Sequence, residues 1–119
     1  MQRLEEALAR LDTALAAPPT LPQPWRQALH DRLDDVAAEL SDERAVAADT
    51  WLDARAGQLH RERNRLLARL AVLGPLVDNG DPDAVRVAVA RLHTDVHHHH
   101  QRVSDLAYDA VGMDVGGSG

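Results

Sequence analysis

The stretch from Asp81 to Ala110, DPDAVRVAVARLHTDVHHHHQRVSDLAYDA, is the longest uninterrupted amphipathic pattern in the chain and carries five of its seven histidines. Alternating steps of four and three trace an apolar seam through Val85, Val89, Leu92, Val96, His99, Val103, Leu106 and Ala110, the period of one helix face. One imidazole, that of His99, stands in the seam. His93, His97, His98 and His100 lie beside it or away from it.

The rest of the chain supplies matching faces. Leu4, Leu8, Leu11 and Leu15 put a leucine stripe on a first helix over residues 1–17, which Pro18, Pro19, Pro22 and Pro24 end. A second helix opens at Gln23 or Pro24 and repeats the seam with Leu29, Leu33, Val36 and Leu40, while Trp25 is placed to cover the bundle end. Between Trp25 and Leu73 there is no proline and one glycine, Gly57, so the next boundary is set between about 41 and 50, with Thr50 as cap and Asp53 in the first turn. A third helix over about 50–73 has Leu52, Ala56, Leu59, Arg63, Leu66, Leu70 and Leu73 on one side, and Gly74-Pro75 is expected to stop it. Asp78-Asn79-Gly80 reads as a turn, and Asp81-Pro82 as N-cap and first position of the fourth helix. The pattern predicts an all-α, up-down-up-down antiparallel four-helix bundle over 1–110 and a short Gly-rich C-terminal tail over 111–119.

Composition narrows the function classes. The chain has 119 residues, no cysteine and no phenylalanine, and all 13 of its basic side chains are arginine. Disulfides, thiolate nucleophiles and cysteine metal sites are excluded, and so is Schiff-base chemistry on a lysine. A net charge of −6 opposes binding to nucleic acid, which needs a basic stripe. No signal peptide and no apolar run of about 18 residues is visible, so a cytoplasmic protein without membrane contact is expected. There is no phosphate loop, nucleophile elbow or isolated carboxylate pair, and the chain does not read as an enzyme.

Two central seam positions are polar, Arg63 on the third helix and His99 on the fourth, with Glu62 next to the first. An unpaired buried charge or imidazole costs several kcal/mol, so each needs a partner or a route to water. Arg63 can snorkel to the edge while His99 meets a backbone carbonyl or a carboxylate such as Glu62; alternatively, these layers are a former or residual metal site, because bundle cores hold metals with His and carboxylates. The run Glu62-Arg63-Asn64-Arg65-Leu66-Leu67, the ending His99-His100-Gln101-Arg102 through Asp105-Leu106-Ala107-Tyr108-Asp109-Ala110, and Asp114-Val115-Gly116-Gly117 resemble small actinobacterial proteins of the hemerythrin-like, HHE cation-binding kind. That resemblance implies a four-helix bundle with a non-haem di-iron centre that binds dioxygen or senses redox state. The likeness departs at the ligands: Arg63 stands where relatives place a histidine, and Ala38-Glu39-Leu40 replaces an Ala-Glu-His. Arginine has no lone pair to offer a cation. Glu62, His99 and Asp105 remain as core ligands, too few for two irons, and the resemblance thus implies an eroded metal centre. His100-x4-Asp105 and His93-x3-His97 imitate hemerythrin ligand spacings, although both pairs sit off the seam.

His93, His97 and His100 share a face one residue from the seam, where imidazoles a turn apart can chelate zinc, nickel or copper. The same face also suits a solvated or partner-facing flank. Three readings follow. The first is a non-enzymatic binding protein without cofactor, acting on another protein or on itself; a dimer would close an apolar groove that the short first helix leaves incompletely covered. The Met113 to Val115 segment could extend onto a neighbouring surface. The second is an iron- or zinc-binding oxygen or redox sensor using His93, His97, His99 and His100 with Glu62, Asp95 or Asp105, and with His30 or His60 as further ligands from other helices. The third is a pH switch, in which charging His99 near pH 6 loosens the bundle.

Overall fold

The computed structural model describes residues 2–17, 22–43 and 53–118, with the side chains from 110 onward outside that description. Four helices form: α1 (Gln2–Ala16), α2 (Pro22–Ser41), α3 (Asp53–Asn79) and α4 (Pro82–Ser118). No strand occurs among the described residues. Each helix packs against two others in a cycle, α1 on α2, α2 on α3, α3 on α4 and α4 on α1.

The leucine stripes explain that cycle. Leu4, Leu8, Leu11 and Leu15 of α1 are buried, as are Leu29, Leu33, Val36 and Leu40 of α2. From α3 they meet Leu66, Leu70 and Leu73, and from α4 Val85, Val89, Leu92, Val96, Val103 and Leu106. Burying one such side chain contributes about 1.5–3 kcal/mol, and the four stripes can be buried only against one another. Polar cross-links show the directions. Arg69 meets Asp95 at 2.7 Å and Arg55 meets Asp109 at 2.8 Å, so α4 descends α3 as its numbering rises. His93 reaches the Leu8 carbonyl at 3.0 Å and His100 reaches Glu5 at 3.1 Å, so α4 also runs against α1. No helix among the described residues is long and apolar enough to cross a membrane.

Two helix ends differ from the sequence expectation. Gly74-Pro75 does not stop α3, which continues to Asn79 with Pro75 inside it. Pro75 cannot donate to the carbonyl of Ala71 four residues back, which costs α3 one ladder bond at an exposed residue. The extra turn buries Val77 completely. The stop comes at Gly80, whose amide donates to the Leu76 carbonyl at 2.6 Å. A Cβ at Gly80 would lie 2.5 Å from that same oxygen, so the close approach requires glycine. Asp81 then caps α4, its carboxylate accepting the amides of Asp83 at 3.1 Å and Ala84 at 3.2 Å. At its far end α4 passes through the expected boundary at 110 and remains helical to Ser118. That segment contains no proline, and its glycines cost only about 1 kcal/mol each.

Trp25 is buried near the start of α2, with the Arg86 guanidinium 5.5 Å above its ring, which places it at the bundle end formed by the α1 C-terminus and the α4 N-terminus. Arg26 fastens the same end by donating to the Val77 carbonyl at 2.7 Å. The proposed cap at Thr50 and the seam residue Leu52 lie outside the described residues.

Candidate functional site

The apolar seam of α4 is interrupted at His99, and the molecule is built around what meets it there. His99 is completely buried. Its Nδ1 donates to Glu62 Oε1 on α3 at 2.6 Å, and its Nε2 donates to Glu43, just past the end of α2, at 2.9 and 3.1 Å to the two carboxylate oxygens. A carboxylate accepts when ionised, so two carboxylates on one ring favour the cationic form with a proton on each nitrogen. Burial opposes that charge. The hydrogen bonds to Glu43 and Glu62 outweigh it, and they hold His99 above its ordinary value of 6.5.

Two arginines complete the layer. Arg102, one turn below His99 on α4, donates to Glu62 Oε1 from Nε at 3.2 Å and approaches it through Nη2 at 2.9 Å. Burial would raise the Glu62 carboxyl, but Arg102 and then His99 stabilise its anion and hold it below its usual 4.5. Arg63, the charged residue of the α3 seam, turns to the end of α2: Nη1 donates to the Glu43 carbonyl at 2.9 Å, and Nη2 contacts His60 Nδ1 at 3.0 Å. Its Nε is buried without a partner among the described residues. The chain just past α2 is therefore held twice, through the Glu43 carboxylate by His99 and through the Glu43 carbonyl by Arg63. Glu62 is shared between His99 and Arg102 from successive turns of α4, and among the described residues the Glu43 carboxylate is held by His99 alone.

The candidate metal ligands are dispersed around this layer. Glu62 and His99 touch. His93 is half-buried and bonded to the α1 backbone, and His100 is buried and paired with Glu5, so these two face α1 and not solvent. The expected exposed histidine face is thus corrected: α4 packs on both α3 and α1, and its buried arc is wider than one seam. His97 and His98 are exposed, with ring centroids 6.2 Å apart, and Asp105 is exposed. Among the described residues the one group of three potential ligands with mutually close atoms is His30, Asp31 and Asp34 of α2, with His30 beside α3. There His30 Nδ1 lies 3.4 Å from Asp34, and Nε2 lies 3.9 Å from Asp78 of α3.

A di-iron centre needs several imidazoles and bridging carboxylates converging on one space. The residues of this layer do not fit one: among the described residues His99 is the one imidazole that meets Glu43 and Glu62, while His60 turns to Arg63, and the two nitrogens of His99 point to different acids. Sequence reading missed Glu43, Arg102 and the Glu5 to His100 pair. Glu43 carries no pattern signal, because it follows a helix end. His100 carried a weak one, since it stands seven residues after His93 and so shares its flank.

No protein-family model, curated protein or solved structure matches this chain.

Proposed function

We propose that this chain is a non-enzymatic interaction protein, an up-down-up-down antiparallel bundle of hemerythrin-like design whose central layer is filled by an ion-pair network in place of metal. The observation that carries this reading is the pair of carboxylates on His99. A ring nitrogen binds a metal through a lone pair, and both nitrogens here are turned to carboxylates. The cationic roles a metal would take toward Glu43 and Glu62 belong to His99 and Arg102. What such a bundle has left to offer is its surface. Val72 on α3 and Val87 on α4 are apolar side chains left 73% and 52% exposed on that surface.

Elemental analysis of protein purified without a nickel column tests the reading. The expected result is no stoichiometric iron; about two irons per chain, the content of an intact di-iron bundle, would overturn it.

A further inference from the structure

The outer face of α4 between Asp83 and Arg91 has a symmetry in its charge. Asp83, Val87 and Arg91 follow one another at steps of four and form a single exposed ridge. Val87 is the midpoint, with an acid about 6 Å along the axis on one side and a base about 6 Å on the other. Beside this ridge lies a cleft of about 410 Å³ lined by Ala68, Arg69, Val72, Leu73, Ala88 and Arg91. The cleft is floored by small and branched apolar side chains, and Val72 on its α3 wall is 73% exposed.

We infer that this face is the interface of a two-fold homodimer, in which Val87 of each chain enters the other's cleft against Val72 and Asp83 of each chain pairs with Arg91 of the other. A two-fold axis perpendicular to the helices, running between the two ridges at the level of Val87, sets them side by side in opposite directions and puts acid opposite base twice. The face is therefore complementary to itself in charge. A same-direction pairing would set Arg91 against Arg91 and Asp83 against Asp83, which like-charge repulsion disfavours. Ridges spaced by four also suit helix packing, since the ridge of one α4 lies in the groove beside the other. This inference deepens the interaction reading above by naming the partner as a second copy.

Sedimentation velocity over a concentration series, with circular dichroism to establish folding, tests it. The native chain should move from one chain to two as its concentration rises through about tens of micromolar, as expected for a small interface. Asp83→Arg and Arg91→Asp should each weaken the dimer about tenfold or more, because each places like charges together twice. Mixing these two variants should restore a dimer, since one then carries two bases and the other two acids at the paired positions. The double variant carrying both changes should dimerise like the native chain. Val87→Asp should abolish association. All four positions tested or contacted are exposed, so the variants keep the fold. A native chain that stays monomeric throughout, or single variants that are not restored on mixing, would overturn the inference. Neither outcome touches the metal content on which the preceding reading stands, so the two fail separately.

Discussion

The two halves of this bundle are held by different physics. Toward the α3 to α4 turn, Leu29, Val77, Val85, Val89 and Leu92 are fully buried within one apolar cluster. One turn past Val96, the same α4 seam carries His99, and the packing there is a hydrogen-bonded charge layer with Glu43, Glu62, Arg63 and Arg102. Dispersion and the hydrophobic effect are non-directional, so the first half tolerates exchange of one apolar side chain for another of similar volume. The charge layer is directional. Each member is stable only while its partners are present, and removing one strands the others.

The largest difference between the halves should come from cavity formation in the apolar one. Leu92→Ala leaves a hole at a fully buried position and should cost about 2–5 kcal/mol of unfolding free energy, measured by urea denaturation. Leu92→Met should cost under about 1.5 kcal/mol, because volume is conserved. In the polar half Glu62→Ala leaves His99 Nδ1 and Arg102 without their acceptor, and a loss of about 1–3 kcal/mol is expected for the unpaired buried donor. A Glu62→Ala protein as stable as the native chain would show that the layer is solvated and that the two halves do not differ in this way.

The pH dependence sharpens the same contrast, with a definite sign. His99 is held above 6.5 in the folded protein, so its contribution is complete below 6.5 and is lost as pH rises through the raised value. Native stability relative to a His99→Gln protein should therefore shrink between neutral and alkaline pH. Glu62 is held below 4.5, so its contribution is complete above 4.5 and is lost as pH falls through the lowered value. This reverses the expectation that charging His99 near pH 6 would loosen the bundle: the charged ring is the form the two acids hold. Circular dichroism with urea at pH 6, 8 and 10 reads the first trend, and a native-minus-variant difference that grew with pH would break it.

The smallest effect belongs to the surface. Arg69 and Asp95 are 2.7 Å apart, but both are nearly half exposed. Arg69→Ala should change stability by about 0–1 kcal/mol, and less at high salt. A larger loss would mean that this pair does more for the α3 and α4 contact than solvent screening allows.

Much of the architecture was legible in the order of residues. The four stripes named the buried faces because a helix repeats every 3.6 residues, and the capping role of Asp81 was readable because its side chain acts on amides two and three residues away. The end of α3 was not. Gly74-Pro75 looks like a stop by local rules, and what overrides it is the burial of Val77, which exists only when the other helices are in place. The candidate site divides in the same way. His99 and Glu62 stood out as polar groups at or beside apolar seams, whereas Glu43 lies on an unpatterned stretch and Arg102 on an exposed flank.

By itself, then, the sequence determined that the chain is helical, that it makes four amphipathic segments and that a histidine must enter the core of the last. Those are properties of residue type and short-range period. Only the tertiary structure decided that two acids from outside α4 meet both nitrogens of that histidine, that His93 and His100 face α1, and that α3 runs through its proline. Each of these depends on groups far apart in the chain, from 37 residues between Glu62 and His99 to 95 between Glu5 and His100. Local propensity does not encode such distances; packing the four stripes together does.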